Sequence, residues 1–514
     1  MGIKVLYLPI ESISRELDSK ILLAHSALQK RFGVFLGWKS IIARLAENFG
    51  TGAFLYKDHS PWSFELFQRL KQSGVQIFAQ DEEGLIFESD EQYSKRISNQ
   101  SVNLCNSIFA WGDYQAEALN NYLTPDNLDK IKNTGNPRFD IFKPEFNEYL
   151  NYLASSIKAK YKSLVLINTN FASGNWNPYL YNEKTYVDHQ KALGKIKSLE
   201  DEEYYTARSK YYNQLFDDYV EMIRHIAEQF PDIDFIIRPH PDENHDRWRD
   251  SLKSITNAKV EYNGSAPYWI QASLCVIHTG CTTGIEAWAM RKPLIRYNSN
   301  PHTTFEGRLP NYFGYQAESK TELVKILERI LRGELKDTFD EQLSLINPKI
   351  KNISGPCAKD EIIQIIDDEL NYSTSLTNSA SKDLRISEFL STYLNKVESD
   401  NSNLRESSRI LPAISFLGLF KSIRQKSRNI KGILKNTNIN FRRLIIKKEK
   451  QKAELDALKR KARQQKFDQI TISDIENRLN LLDNSIGLSS KRKYSIVEIQ
   501  KDLYFIIDKD QLMS

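Results

Sequence analysis

Apolar residues along the first 370 positions recur in two alternating patterns. Short unbroken runs read as strands buried on both faces, and the stretches between them repeat at helical spacing. IKVLYLPI (3–10) opens the series. Leu17, Ile21, Leu22, Ala24 and Leu28 then predict a helix, and FGVFLGW a second strand. GAFLYK, a helix near PWSFELFQRLKQSG, the strand VQIFAQ, then SIFAWG, a helix in QAEALNNYL and the strand-and-turn IKNTGNPRFD continue the alternation. A polar helical stretch around 145–160 separates this series from a second one. The second runs through SLVLINTNF, a long helix over Tyr211–Gln229, DFIIRPH, ASLCVIHTG, the helix GIEAWAMR, PLIRYN and the helix TELVKILERIL, and closes near 370 after DEIIQIIDDEL. Strands spaced by helices of 10–15 residues predict parallel, doubly wound sheets. The fold class expected is therefore α/β, with two Rossmann-like domains, 1–158 and 159–372, facing a cleft. Residues 373–514 read as a Ser/Thr-rich linker (STSLTNSASKD) and a mainly helical basic tail, ending in a short strand and helix over SIVEIQKDLYFIID.

Composition narrows the class. Sparse glycine and proline (21 and 16 in 514 residues) exclude collagen-like and low-complexity chains. Cys105, Cys275, Cys281 and Cys357 share no CxxC or finger spacing, so they read as reduced thiols of a cytosolic protein. No apolar run has the length of a signal-peptide core or a membrane span, and Leu6 stands where a myristoylation motif needs Ser or Thr. The net charge of +5 hides an asymmetry. Lys421–Lys466 carries seventeen Lys and Arg against three acids, leaving the rest of the chain net negative. With the apolar run Ile410–Phe420 before it, segment 410–466 suits an anionic membrane surface. A nucleic-acid patch and an assembly arm are the competing readings, and no groove-reading or aromatic-rich motif favours nucleic acid.

The chain has no GxxxxGK[ST], GxGxxG, HExxH or GxSxG motif, and its histidines show no metal spacing. Asp232-Ile233-Asp234 has a DxD form but precedes its strand, the wrong end for a ligand in a parallel sheet. Three other segments carry chemistry. In RPHPDEN, Arg238 and His240 follow a strand, with Pro239 and Pro241 stiffening the turn. They can hold an anion there, or the imidazole can cap the strand end. In HTGCTTGIEAWA, Gly280, Thr282, Thr283 and Gly284 surround a strand-to-helix turn whose free N–H groups can cradle a phosphate, more than one N-cap requires. Glu286, one turn further, can accept from a ribose diol. In QDEEGLIF, Asp81, Glu82 and Glu83 crowd three carboxylates before Gly84, either as a base or nucleophile facing the cleft or as a solvated acidic turn. Asn168 and Asn170, after the second series' first strand, are further candidates for touching a donor. Arg138 and Asp140 of GNPRFD read as a structural pair at the domain boundary.

In order and spacing the chain resembles the GT-B glycosyltransferases that use CMP-activated acidic sugars. These are the bacterial sialyltransferases and the Kdo transferases of capsule and lipopolysaccharide assembly. It resembles more closely the bacterial surface carbohydrate biosynthesis proteins. The likeness covers about residues 1–370 and includes ELDSKILLA, DEEGLI, GNPRFD, RPHP and HTGCTTGIEAWA. It implies that the His-Pro motif is His240-Pro241 and that the Ser/Thr pair bonding the donor phosphate is Thr282-Thr283. The acidic motif becomes Glu82-Glu83-Gly84, with Glu83 as the catalytic carboxylate. The relatives mostly carry Asp before this Gly and Ser at the phosphate turn. The activity implied is metal-independent transfer of Kdo or a related ulosonic acid from a CMP-sugar, with no cofactor, to a lipid-linked or oligosaccharide acceptor. A GT-B transferase with another nucleotide donor, such as a CDP-alditol or an NDP-sugar, and a non-catalytic nucleotide-binding scaffold remain alternatives. The expected location is cytoplasmic, peripheral on the inner face of the membrane.

Overall fold

A computed structural model describes residues 4–85, 93–181, 184–302, 304–306, 309–376, 470–485, 494–500 and 503–508. The basic segment 410–466 lies outside them. All described elements belong to one compact unit.

The apolar runs form two sheets. The first takes β1 (Lys4–Ile10), β2 (Phe32–Trp38), β3 (Ala53–Tyr56), β4 (Gln76–Gln80), β5 (Ser107–Ala110) and β6 (Ile131–Asn133). The second takes β7 (Leu164–Asn168), β8 (Asp234–Arg238), β9 (Ala258–Val260), β10 (Cys275–His278), β11 (Leu294–Tyr297) and β12 (Tyr315–Ala317). The tail adds β13 (Tyr494–Gln500) and β14 (Leu503–Asp508) to the first sheet. The orders are β13-β14-β2-β1-β3-β4-β5-β6 and β12-β11-β10-β7-β8-β9. Every pairing among β1–β6 and among β7–β12 is parallel, so helices cover both faces and the strands carry unbroken apolar runs. The expected α/β architecture of two Rossmann-like sheets is present.

Three local expectations change. The long helix begins at Leu199, because Ser198 and Asp201 close a capping box ahead of the apolar stripe. The end of the chain, expected as strand then helix, is a hairpin. Leu503–Asp508 is buried along its whole length between β13 and β2, which it pairs antiparallel, covering the edge that β2 would otherwise expose. Arg138 and Asp140 do not pair with each other. Asp140 instead accepts from the Ala358 and Lys359 N–H groups (2.9 and 2.8 Å) at the start of the helix Ala358–Leu376. That helix closes the second series in sequence, yet it packs on Ile13–Gln29 beside the first sheet.

A second seam gathers around Asp18, which accepts from Tyr149 Oη (2.8 Å), Tyr268 Oη (2.7 Å) and Arg478 Nη1. These residues come from the helices Ile13–Gln29, Asn147–Lys160, Ala266–Ala272 and Ile472–Ser485, so the tail helix helps clamp one half to the other.

Burial holds His25, His59, His245 and His278 below the ordinary imidazole range, His278 at about 4. These groups stay neutral when folded and protonate when unfolded. Their stability is therefore complete above about pH 6.5 and is lost as the pH falls toward 4. His278 alone corresponds to about 2 kcal/mol lost at pH 5. Asp140, which burial raises to about 6, gains stability over the same window, so the test compares the urea-midpoint change between pH 7.5 and 5 in the wild type and in His278→Gln, which should lose less; an equal change would contradict this assignment.

Candidate functional site

In the second sheet the chain runs β7, β8, β9 in one direction and β10, β11, β12 in the other, so the strand order reverses between β7 and β10. Ligands of open α/β sheets settle at such a switch, outside the carboxyl ends of the strands. There Asn168 stands in register with Arg238 on one side and His278 on the other. Asn168 is buried, and neither of its amide atoms has a partner. A cleft of about 510 Å³ opens above these strand ends. Arg238, His240, Pro241, Asn168, Asn170, Gly280, Thr282, Thr283 and Glu286 line it from this side, and Glu82 and Glu83 from the first sheet. Most residues singled out from sequence thus converge, but Asp81, Gly84 and Gly284 do not line the cleft. A Cβ on Gly284 would come within 2.5 Å of the His278 ring, so this glycine serves helix-to-strand packing rather than ligand approach.

The loop after β8 is shaped by a residue that pattern reading passed over. Glu243, wholly buried, accepts hydrogen bonds from the His240 N–H (3.1 Å), Thr169 Oγ1 (2.7 Å), the Phe171 N–H (3.0 Å), Asn175 Nδ2 (3.1 Å) and Trp248 Nε1 (2.8 Å). One carboxylate thereby ties the His-Pro turn to the loop following β7. The available signal was the unbroken RPHPDEN string, in which Glu243 sits three residues after His240. The Asp242 N–H donates to His240 Nδ1 (3.2 Å), which leaves the proton of the neutral ring on Nε2 as a donor. Glu243→Gln keeps the side-chain size but replaces an acceptor oxygen by a donor. It is expected to loosen this turn and lower the melting temperature, and an unchanged melting temperature would contradict the hub role.

Arg238 donates to the Asn263 and Gly264 carbonyls (3.0 and 2.5 Å) and lies over Tyr262, 5.0 Å from its ring centre. No carboxylate among the described residues pairs with it. Burial lowers its pKa to about 10, so it remains a buried cation at the cleft wall. The helix Thr282–Ala289 starts at the end of β10, across β7 from the strand of Arg238, and its first residues line the same cleft. Its N-cap, Cys281, makes no side-chain cap bond, and Cys281 Sγ lies 2.9 Å from Thr283 Oγ1. Gly280, at φ 59°, has open space where a side chain would stand, and its N–H donates to Asn311 Oδ1 (2.8 Å). A buried cation and an uncapped helix start on the wall of one cleft are a favourable setting for an anion.

The three acids after β4 divide their tasks. Asp81 is buried, accepts from Arg96 (Nη2, 2.7 Å; Nε, 3.1 Å) and takes the Glu83 N–H (3.0 Å), so it shapes the turn. Glu82 is buried against Lys20 (3.2 Å). Glu83 alone reaches out, with its side chain 53% exposed and paired to Arg15 Nη1 (2.6 Å). Gly84 is required because a Cβ would meet the Gln115 amide at 2.3 Å. Beside this turn, burial in the Ile13–Gln29 helix and the charge of Glu82 raise the pKa of Glu16.

Further residues line the cleft, and Arg138 has a different partner from the one its motif suggested. Arg138, on the first-sheet side, pairs with Glu286 on the Thr282–Ala289 helix, while Glu286 Oε2 keeps no partner. Arg15, Arg208, Tyr212 and Phe305 complete the walls. Among the described residues, no three His, Cys, Asp or Glu side chains converge as metal ligands would, and no helix is long and apolar enough to cross a membrane.

No family model and no curated protein matches the chain. Similar solved structures include UDP-GlcNAc 2-epimerase from Neisseria meningitidis bound to UDP-GlcNAc, at 13% identity and TM-score 0.44, covering 72% of this chain and 100% of that one. The wall teichoic acid polymerase TagF has 9% identity and TM-score 0.44, covering 72% and 90%. The UDP-GlcNAc 2-epimerase from Methanocaldococcus jannaschii has 13% identity and TM-score 0.41, covering 71% and 99%. Likeness at this level says nothing of what this chain binds.

Proposed function

We propose that the protein is a metal-independent GT-B glycosyltransferase that takes an acidic sugar, Kdo or a related ulosonic acid, from a CMP-activated donor to build a surface polysaccharide. The observation that carries this reading is the convergence of three elements on one cleft: the His240 loop, the Gly280–Thr283 turn and the Glu83 turn. His240 Nε2–H, the N–H groups and hydroxyls of Thr282 and Thr283, and the nearby charge of Arg238 stabilise the phosphate of the departing CMP as the glycosidic bond breaks. Asn168 and Glu286 Oε2, both buried with unmet hydrogen-bonding capacity, meet the polar groups of the nucleoside. Glu83 either takes the proton of the acceptor hydroxyl as that oxygen attacks, or attacks the anomeric carbon first and is displaced by the acceptor.

The test is a thermal-shift comparison of CMP, UDP and CDP-glycerol. CMP is expected to protect most, whereas protection by UDP or CDP-glycerol without CMP would overturn the donor assignment. His240→Ala should weaken CMP by about 1.5–3 kcal/mol, the range of a charge-assisted hydrogen bond, and unchanged calorimetric affinity would remove His240 from the site. Transfer to a lipid-linked or oligosaccharide acceptor at the inner face of the membrane is the proposed setting, with 410–466 on anionic lipid. The full chain should float with anionic liposomes and not with neutral ones.

A further inference from the structure

Arg15 holds the most exposed of the acidic-turn carboxylates, and the way it does so limits what the donor can be. It sits in the first turn of Ile13–Gln29, where Ser14, Arg15, Asp18 and Ser19 line the cleft. Its Nη1 donates to Glu83 Oε1 at 2.6 Å, its Nη2 lies 3.7 Å from Glu16 Oε1, and its Nε is buried with no partner. Burial and Glu82 push Glu16 toward its neutral form, and Glu83 is the acid that Arg15 meets within hydrogen-bond distance. With Arg15 on Oε1, one oxygen of Glu83 is taken up by the guanidinium, and drawing Arg15 elsewhere frees both oxygens for the reaction.

The pair is built to be exchanged. Its side chains are 36% and 53% exposed, and ion pairs this open are worth about 1 kcal/mol or less. A second carboxylate can replace Glu83 on Nη1 without changing the charge of the site. The opposite wall already has its own anion setting in Arg238 and the Thr282 helix start, so the cleft offers two separate cationic poles.

We propose that Arg15 is a specificity-determining residue that exchanges Glu83 for the carboxylate of the donor's sugar acid, freeing Glu83 only when such a donor is bound. The substrate class is a nucleoside monophosphate ester of a sugar acid, with phosphate at one pole and carboxylate at the other. This rests on the transferase reading above.

Calorimetry without acceptor compares CMP, CMP-N-acetylneuraminate, CMP-Kdo and the methyl esters of both donors. On the wild type, at least one acid donor should bind fivefold or more tighter than CMP, and its ester should lose that gain. Arg15→Gln should abolish the gain while CMP affinity stays within twofold, and Arg15→Lys should restore part of it. Acid donors no tighter than CMP, esters binding as well as acids, or a gain surviving in Arg15→Gln would each overturn the Arg15 assignment while the CMP site stands. If the wild type does not bind CMP, the transferase reading fails and this assignment fails with it.

Discussion

Glu83→Gln is expected to abolish sugar transfer and donor hydrolysis while leaving CMP affinity within twofold. The substitution keeps the shape of the side chain and removes its charge and basicity. The proposed nucleotide pole, on the second-sheet wall, is untouched. Of the three adjacent acids, Asp81 is committed to Arg96 and Glu82 to Lys20, both in buried positions, and only Glu83 projects into solvent at the cleft. Glu82→Gln gives a contrasting result. It leaves the Lys20 ammonium buried without its counter-charge, so the main loss should be stability. Measuring CMP release and melting temperature for both variants separates the roles. Full transfer activity in Glu83→Gln, with a donor the wild type uses, would sink the assignment. Hydrolysis by the wild type and not by the variant would exclude a non-catalytic scaffold.

Arg138→Met is expected to cost about 3 kcal/mol in urea denaturation, the lower end of the range for breaking a buried pair from one side. Arg138 and Glu286 join the segment after β6 to the helix after β10, and the Glu286 side chain is 2% exposed with one oxygen already without a partner. Removing the guanidinium strands a buried carboxylate. The lower end applies because Arg138 is 21% exposed and both groups line the cleft, where water can enter. Combining Arg138→Met with Glu286→Leu should recover most of the loss, since the stranded charge is then gone. A loss below about 1 kcal/mol in the single variant would mean that the pair behaves like a surface ion pair.

The second-sheet side of the cleft was largely legible in the sequence. A strand running into RPHP and another running into HTGCTTG each state a strand, a turn and a chemical character within a dozen residues. Parallel sheets place all such turns at one edge. The acidic turn was legible as a motif, but not the division of labour within it. That division depends on Lys20, Arg15 and Arg96, which approach from elsewhere in the chain. Gly284 illustrates the opposite error. A glycine beside a phosphate-type turn invites a ligand role, and only the His278 ring packed against it shows why the side chain is missing. Glu243 stood inside a quoted motif and went unremarked, because its five donors come from a strand-end loop, a helix and its own turn.

The alternation of the main strands and helices through residue 370, the parallel character of the sheets and the edge on which chemistry gathers were determined by the sequence alone. Each follows from local burial: a strand covered on both faces must be apolar throughout, and its end must be the place where polar and glycine-rich turns begin. The short edge strands Ala258–Val260 and Tyr315–Ala317 and helices such as His245–Leu252 and Ala266–Ala272 were not determined in this way. Only the tertiary structure decided the pairing of charges, Arg15 with Glu83, Lys20 with Glu82 and Arg138 with Glu286, and the return of the last hairpin to the edge of β2. Those partners lie tens to hundreds of residues apart. Periodicity records only which side of an element is buried, so it holds no information about which distant group shares the same buried space.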